Sequence, residues 1–310
     1  MLIFEKKMKL LITGATGLVG IQLVKKAISQ GMMIHYLTTQ VSKIQSIEGA
    51  KGFHWDPSRM IIDIDCFSGV DVIIHLAGAS ISKRWTNRYK KIILSSRIDT
   101  TRLLINGLNL LKGNHCVDQI VSASAIGIYP SDFKNSVSET FNVSKDSFMQ
   151  NVVMNWEEEV DVFETMNIKI TKLRIGLVLA RNGGVLATLK IPTFFCLGAA
   201  FGSGNQGQSW IHISDVVGII LFCIKKQLKG DFNTVAPNPV SQSIFISALA
   251  KVLKRPHIFP PIPKYFTKMI LGDMSSLVLD SHWVCSKKIL GKGYKFQFDK
   301  INDALEEVLI

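Results

Sequence analysis

The feature that most narrows what this chain can become is the run from Lys9 to Gly20, KLLITGATGLVG. Leu10, Leu11 and Ile12 read as a short buried strand. Gly14, Gly17 and Gly20 follow at three-residue spacing, and Leu18, Val19, Ile21, Leu23, Val24, Ala27 and Ile28 then recur at helical period. Strand, glycine turn and amphipathic helix in that order make a phosphate-binding βα unit. Gly14 permits a tight turn, Gly17 lets backbone approach a pyrophosphate, and Gly20 lets the helix sit close to the strand. Free N–H groups and the dipole at the helix start attract the anion. Thr16, Leu18 and Val19 of the same turn are counted with the glycines as cofactor-binding residues.

Strand and helix signals alternate through the first two thirds of the chain. The fold class this predicts is α/β, a Rossmann doubly wound parallel sheet. The second strand, near Met33–Leu37, ends in Thr38, Thr39 and Gln40, which offer neither an acid for a ribose 2′-OH nor an Arg for a 2′-phosphate. Ser42 and Lys43 follow and suit a phosphate. Asp71–Leu76 is the next strand. It runs into Ala77, Gly78 and Ala79, small residues against which a cofactor can lie; an ordinary tight βα turn is the other reading. A long helix from Asn87 to about Asn109 carries Arg97 between apolar positions. That Arg either reaches a phosphate or ribose or snorkels over the core. A strand over Gln119–Ser124 places Ser122, Ser124 and Tyr129 at or past its carboxyl end, where α/β chemistry sits; the alternative is turn hydroxyls bonded to backbone.

Further on, the pattern predicts a helix over Phe148–Thr165, a strand over Lys169–Leu179 and an apolar helix over Val185–Leu197. The character shifts at Gly198, where GAAFGSGNQGQ reads as a flexible loop. A helix over Val216–Lys226 follows, capped by Ser214 or Asp215. His212, beside a Trp on a strand, reads as structural rather than catalytic. A strand over Phe232–Val235, a helix over Gln242–Leu253, a proline-rich linker over Arg255–Pro263 and helices near Phe266–Leu279 and Lys300–Val308 complete the chain. The expected organisation is a Rossmann domain over residues 8–180, also receiving the 210–235 segment, and a smaller C-terminal α+β lobe over 181–310.

Composition excludes several classes. No apolar run approaches the roughly 20 residues that span a bilayer, so no membrane partner is expected. MLIFEKKMKL is too short and wrongly ordered for a signal peptide, and Met8 is an alternative start. The five cysteines are scattered without metal-ligand spacing, which points to free thiols in a reducing cytoplasm and no metal. A net charge of +12 favours anionic partners. The basic residues are spread along the chain, however, and clusters such as Lys6–Lys7 and Arg88–Lys91 lack interleaved aromatics, so nucleic acid is not expected.

TGATGLVG, HLAGAS, RWTNRYKKIILSSRIDTTR, SASAIGIY, NWEEE, LRIGLVLARNGG, QSWIHISD and NTVAPNPVS occur in that order over nearly the whole chain. Together they resemble the extended short-chain dehydrogenase/reductase superfamily, and more narrowly its atypical "epimerase family" subgroup of nucleoside-diphosphate-sugar epimerase type. The resemblance extends to that subgroup's C-terminal extension, over residues 254–309. It implies a domain binding NADP(H) in preference to NAD(H) and a C-terminal lobe covering a substrate cleft. Gly14, Gly17 and Gly20 match the phosphate loop. Thr38 and Thr39 match a Ser/Thr-Arg pair that meets the 2′-phosphate, with Thr39 in place of the Arg. Leu76 and Ala77 match the strand end beside the cofactor, Arg97 an Arg near it, and Leu177 a residue at its nicotinamide end. Extended relatives dimerise through helices that include the 87–109 segment, so a homodimer is expected. Active members use a Ser, a Tyr and a Lys four residues after the Tyr. Ser124 matches the Ser, whereas Met149 and Val153 stand at the Tyr and Lys positions. Tyr129 is the nearest remaining acid/base, and Arg84, Trp85 and Asn87 are rim candidates. The function implied is an NADP(H)-binding, epimerase- or oxidoreductase-like protein acting on a small molecule such as a nucleotide sugar. The alternative is a catalytically degenerate NADP(H)-binding sensor or scaffold.

Overall fold

The computed structural model describes residues 7–310. Residues 1–6, which open the MLIFEKKMKL start and include Lys6 of the Lys6–Lys7 pair, lie outside the described residues.

The first half of the chain is β1 (Lys9–Thr13), α1 (Leu18–Ser29), β2 (Met33–Thr38), β3 (Ala50–Asp56), β4 (Ile61–Ile62), β5 (Val72–His75), α2 (Asn87–Leu110), β6 (Gln119–Ala125), β7 (Ser136–Val137) and α3 (Phe148–Asp161). The second half is β8 (Lys169–Ile175), β9 (Leu177–Ala180), α4 (Gly184–Phe194), β10 (Gly207–Gln208), β11 (Trp210–His212), α5 (Ile213–Lys225), β12 (Gly230–Thr234), β13 (Val240–Ser241) and α6 (Gln242–Val252), then α7 (Lys264–Leu271), α8 (Ser276–Leu279), β14 (Trp283–Val284), α9 (Lys287–Gly291) and α10 (Ile301–Leu309).

Eight strands form one sheet in the order β12-β8-β6-β5-β1-β2-β3-β4. All neighbours pair parallel except the short antiparallel edge strand β4. The strand direction of travel reverses at β1, so the gap between the carboxyl ends of β1 and β5 is the topological switch point. Both faces of the sheet are covered, which is why β1 is an unbroken apolar run. Leu10 and Ile12 pack with Leu23, Val24, Val217 and Ile220 from α1 and α5. Leu11 faces the opposite way, into a core with Leu103, Leu108, Trp156 and Val160 from α2 and α3. A separate core joins Leu186, Trp210, Phe245, Leu249, Leu305 and Val308, bringing α4, α6 and α10 together as the smaller lobe. Residues 289 and 294 return to the first core, where the Tyr294 hydroxyl donates to Asp215 Oδ1 at 2.9 Å. No helix among the described residues is long and apolar enough to cross a membrane.

Four local expectations are corrected. The strand predicted over Lys169–Leu179 breaks at Gly176, where a Cβ would lie 2.2 Å from Ser209 O; β9 leaves the main sheet there to pair with β11. The helix starting at Phe148 stops at Asp161 and continues as a 3-10 turn to Met166. α5 is capped by neither Ser214 nor Asp215: His212 Nδ1 accepts from Ser214 N at 3.2 Å. The same ring pairs through Nε2 with Glu307 at 2.7 Å and lies on Phe298, so it is structural as expected. The glycine-rich stretch 198–208 is pinned rather than loose. The amide nitrogen of buried Gln206 donates to Phe201 O, Gln242 Oε1 and Val278 O, and Gly202 N donates to Ile262 O at 2.8 Å.

Candidate functional site

The turn after β1 is built by backbone proximity. Gly14 has φ +70°, and a Cβ there would sit 3.0 Å from the Leu76 carbonyl group. Gly17 N donates to Gly14 O at 2.9 Å, and a Cβ on Gly17 would lie 3.1 Å from the same oxygen. Gly20 is demanded most strongly, because its Cβ would come within 2.1 Å of Gly14 O and 2.7 Å of Ala15 Cα. The close approach is therefore between helix and turn, not helix and strand. α1 begins at Leu18 with no side-chain cap and no acid in its first turn. Its leading N–H groups and positive dipole end remain available to an anion. Thr16 and Gly17 are exposed, Leu18 and Val19 half-buried. The Leu18 side chain meets the Gly183–Gly184 turn that opens α4, so the smaller lobe borders the glycine turn.

A buried relay that the sequence reading missed fixes this switch point. Thr13 Oγ1 accepts from the Leu76 and Ala77 N–H groups, both at 3.1 Å, and lies 2.8 Å from His75 Nδ1. His75 Nε2 lies 3.1 Å from Thr101 Oγ1, whose hydroxyl donates to Arg97 O at 2.7 Å. Each hydroxyl has one proton, so the chain assigns itself: Thr13 donates to Nδ1, and Nε2–H donates to Thr101. Burial, helped by the Arg97 charge, pulls the His75 pKa down to about 3, which keeps the ring neutral. The adjoining 76–79 segment is held by Arg97, which donates to Ala79 O at 3.3 Å and Ile93 O at 2.9 Å and lies 5.2 Å over Trp156. A Cβ on Gly78 would meet the guanidinium at 3.2 Å. Burial lowers the Arg97 pKa to about 10. Thus Leu76, Ala77 and Gly78 line the carboxyl end of β5 beside the glycine turn, with Arg97 bracing the segment from behind.

At the end of β2, the Thr38 hydroxyl is buried and spent on its own turn, accepting from Gln40 N at 3.2 Å. Thr39 and Lys43 are exposed beside it. Leu177, half-buried, starts β9 opposite Trp210.

The residues expected to do chemistry lie elsewhere. Ser122 is fully buried and donates to Ala123 O at 3.0 Å. Ser124, 4% exposed, donates to Glu157 Oε1 at 2.5 Å. Tyr129, 1% exposed, donates to Asn233 Oδ1 at 2.7 Å and accepts from Arg174 Nη1 at 3.0 Å. Arg174 holds Glu157 by two bonds of 3.0 and 2.9 Å and Asp231 by one of 3.0 Å. Lys172 joins Asp161 at 2.8 Å and Asp231 at 3.3 Å. Burial pushes the Tyr129 pKa up to about 12, against the pull of Arg174. This cluster ties β6, α3, β8 and β12 together. Both hydroxyl protons have buried acceptors, Glu157 for Ser124 and Asn233 for Tyr129. Met149 and Val153, at the expected Tyr and Lys positions, are hydrocarbon in the structure too. Val153 is buried with Ile128, Val235 and Val284, and Met149 packs on Gly127.

Met149 lines a cleft of about 850 Å³ between the starts of α2 and α3 and the α7–α8 segment. Trp85, Phe148, Lys90, Lys264, Lys268, Asp273 and Asp280 share it. Trp85 is fixed by Nε1–H donation to Ile81 O at 2.9 Å and by an edge contact with Phe148 at 5.0 Å. Lys90 and Asp273 pair at 2.5 Å. Burial raises the Asp280 carboxyl above the usual carboxylate range, with Lys264 and Lys268 opposing. Of the rim candidates, Trp85 lines the cleft, whereas Arg84 and Asn87 are exposed outside its wall. A hollow of about 960 Å³ lies between α1 and α5, bordered by Met8 and Gly31 at the amino end of the sheet, on the wrong side for α/β chemistry. Among the described residues no group of His, Cys, Asp or Glu is placed to hold a metal.

Residues 10–235 match the NAD dependent epimerase/dehydratase family, and residues 262–308 match a domain of unknown function, DUF1731. Epimerase family proteins of Staphylococcus haemolyticus and Staphylococcus aureus are 35% identical over 301 residues, covering 96% of this chain and 98% of theirs. The crystal structure of human epimerase family protein SDR39U1 with NADPH superposes with a TM-score of 0.84 at 25% identity, over 97% of this chain and 99% of that one. A nucleoside-diphosphate sugar epimerase from Corynebacterium glutamicum gives 0.78 at 26% identity, over 98% of this chain and 58% of that one. UDP-glucuronic acid 4-epimerase from Bacillus cereus, at 18% identity, shares the fold with a TM-score of 0.78.

Proposed function

Because this chain belongs to the NAD dependent epimerase/dehydratase family, we propose that it binds NADP(H) at the switch point and acts as an oxidoreductase or epimerase-like protein on a small molecule held in the 850 Å³ cleft. The observation that carries the reading is the glycine turn, in which Gly20 leaves no room for a Cβ, Gly14 holds a positive φ and Gly17 is tightly packed, while the uncapped start of α1 stands open. When bound, a nicotinamide dinucleotide supplies hydride transfer. The chain's own residues do the rest. Gly14, Gly17 and the α1 N-terminus hold the pyrophosphate, and Leu76, Ala77 and Gly78 flank the ring side of the groove. Lys43 is the cation beside Thr38 and Thr39 for a 2′-phosphate, and the NADPH in the human relative supports that choice. Leu177 and Met149 bound the nicotinamide end with hydrocarbon, and the lobe carrying α7 and α8 closes the substrate side. Trp85 and Phe148 give the substrate an apolar wall.

Titration with NADPH and NADH, read by nicotinamide fluorescence and thermal shift, tests the reading. Micromolar NADPH binding that is lost in Gly17→Val is expected, and failure of both nucleotides to bind overturns it.

A second reading is supported by one observation. Positions 149 and 153 carry no proton donor, and the hydroxyls of Ser124 and Tyr129 are committed elsewhere. A nucleotide-binding sensor or scaffold fits that arrangement. Oxidation of bound NADPH by any of a panel of carbonyl compounds and sugar nucleotides excludes it.

A further inference from the structure

We propose that the face formed by the end of α4 and the 255–271 segment is a peripheral membrane-binding surface that lies on anionic phospholipid. The two segments are neighbours: Arg255 donates to Phe194 O at 2.9 Å and lies 4.3 Å over the Phe194 ring, and Ile262 N donates to Ala200 O at 2.7 Å. The face is apolar and open. Phe195, Leu197, Ile258, Tyr265, Met269 and Ile270 are each more than half exposed. In α7 only Thr267 is buried, so this helix offers most of its circumference to whatever lies outside. Exposed apolar side chains gathered on neighbouring segments in this way mark an interaction site.

Charge selects the occupant. Residues 184–198 and 251–271 carry six cations and no Asp or Glu; Lys264 and Lys268 line the cleft near Asp280, which leaves Lys190, Lys251, Lys254 and Arg255 as the cations of the face itself. The nearest acid in sequence, Asp273, is paired with Lys90. A second copy of this chain docked face to face would set those cations against themselves, on two chains of +12 each. Protein interfaces deplete Lys around their apolar centres. Interfacial segments do the reverse: Lys and Arg stems lie along the apolar surface while their heads reach lipid phosphates, and aromatic and aliphatic side chains enter the acyl boundary. The proposal concerns a surface lying on a bilayer, which the lack of a spanning helix leaves open. It is independent of the nucleotide reading.

The test is sedimentation of the whole protein with vesicles of phosphatidylcholine, alone or doped with phosphatidylglycerol. Wild type is expected to pellet with the anionic vesicles only and to be released by added sodium chloride. The triple variant Phe195→Ser/Tyr265→Ser/Met269→Ser is expected to fall to the level seen with phosphatidylcholine alone, with an unchanged circular dichroism spectrum as evidence of folding. Three results overturn the proposal. Wild type ignores both vesicles, and an association with polyglutamate in that case marks the face as a dock for an acidic protein. The folded triple variant pellets as wild type does. Or wild type is a dimer in solution that the same substitutions split, which makes the face a subunit interface.

Discussion

The two ends of the expected active site are built in opposite ways. At the β1 turn, function is written in backbone: a Cβ on Gly20 would strike main-chain atoms, Gly14 holds a positive φ, and a Cβ on Gly17 would lie 3.1 Å from the Gly14 carbonyl oxygen. At the β6 end, function in the wider superfamily is written in side chains, and here those side chains are Met149, Val153 and two committed hydroxyls. At its tightest position, Gly20, a backbone cradle cannot take a side chain without moving the turn and helix that make it. A side-chain relay can be exchanged for hydrocarbon and a buried ion pair while the sheet stays in place. The first region is therefore the one from which a function can be argued, and the second is the one from which stability can.

That contrast can be broken at several points. The largest effect is expected from Glu157→Ala, which strands the buried Arg174 and the Ser124 hydroxyl. Breaking such a pair costs about 3–5 kcal/mol, read by urea unfolding, and an unchanged midpoint would refute the stabilising role of this cluster. Gly17→Val is expected to weaken NADPH binding about 100-fold, roughly 2.7 kcal/mol, with little change in urea stability. A comparable loss of stability would mean that the turn is structural only. Tyr129→Phe leaves Asn233 Oδ1 and Arg174 Nη1 short of a partner and is expected to cost about 1–3 kcal/mol with nucleotide affinity unaltered. If it instead abolished an NADPH-dependent activity in a protein that remained folded, Tyr129 would return to the catalytic side.

The histidines sharpen the comparison through pH. Burial lowers the folded pKa of His75 to about 3 and of His282 to about 4, beneath the unfolded value of 6.5. The unfolded chain then binds more protons below that value. Stability is full above about pH 6.5 and falls with acid by up to roughly 1.4 kcal/mol per pH unit for each ring. His75→Gln is expected to flatten part of that slope in urea titrations across pH 4–6. An unchanged slope would deny His75 its share. The smallest effect is expected at Lys43→Ala, where an exposed cation is removed. About a fivefold loss for NADPH with none for NADH, roughly 1 kcal/mol, would place the 2′-phosphate at the end of β2. Equal loss for both would not.

How much could be read beforehand follows from sequence distance. β1, the glycine turn and α1 are consecutive, so their order in the chain is their order in space, and the reading of the turn needed no other segment. The alternation of strands and helices likewise foretold the parallel sheet. The hydrogen bonds of Ser124 and Tyr129 are not legible in the sequence because their partners are remote: Glu157 is 33 residues from Ser124, and Asn233 is 104 from Tyr129. A signal did exist. Lys172 and Arg174 sit in the interior of the buried strand KITKLRI, and buried cations require acids, which Glu157 and Asp161 supply one helical turn apart on α3. Thr13, His75 and Thr101 lie in three separate motifs, and nothing in the sequence links them; only the structure brings β1, β5 and α2 close enough to join them. The break at Gly176 was hidden for the same reason, since the carbonyl that forces it belongs to Ser209.

Asp215 has a consequence for how this molecule comes into being. Its carboxylate is fully buried, and its hydrogen bonds come from Tyr294, Gln297 and Phe298, which lie 79 to 83 residues further along the chain. During synthesis α5 thus emerges with a charge that must stay wet until that stretch leaves the ribosome. The face of α5 that lines the first core cannot dry out early. The nucleotide-binding half is in this sense completed from its own far end, and a nascent chain halted before Tyr294 would be marked as unfinished by an acid it cannot bury.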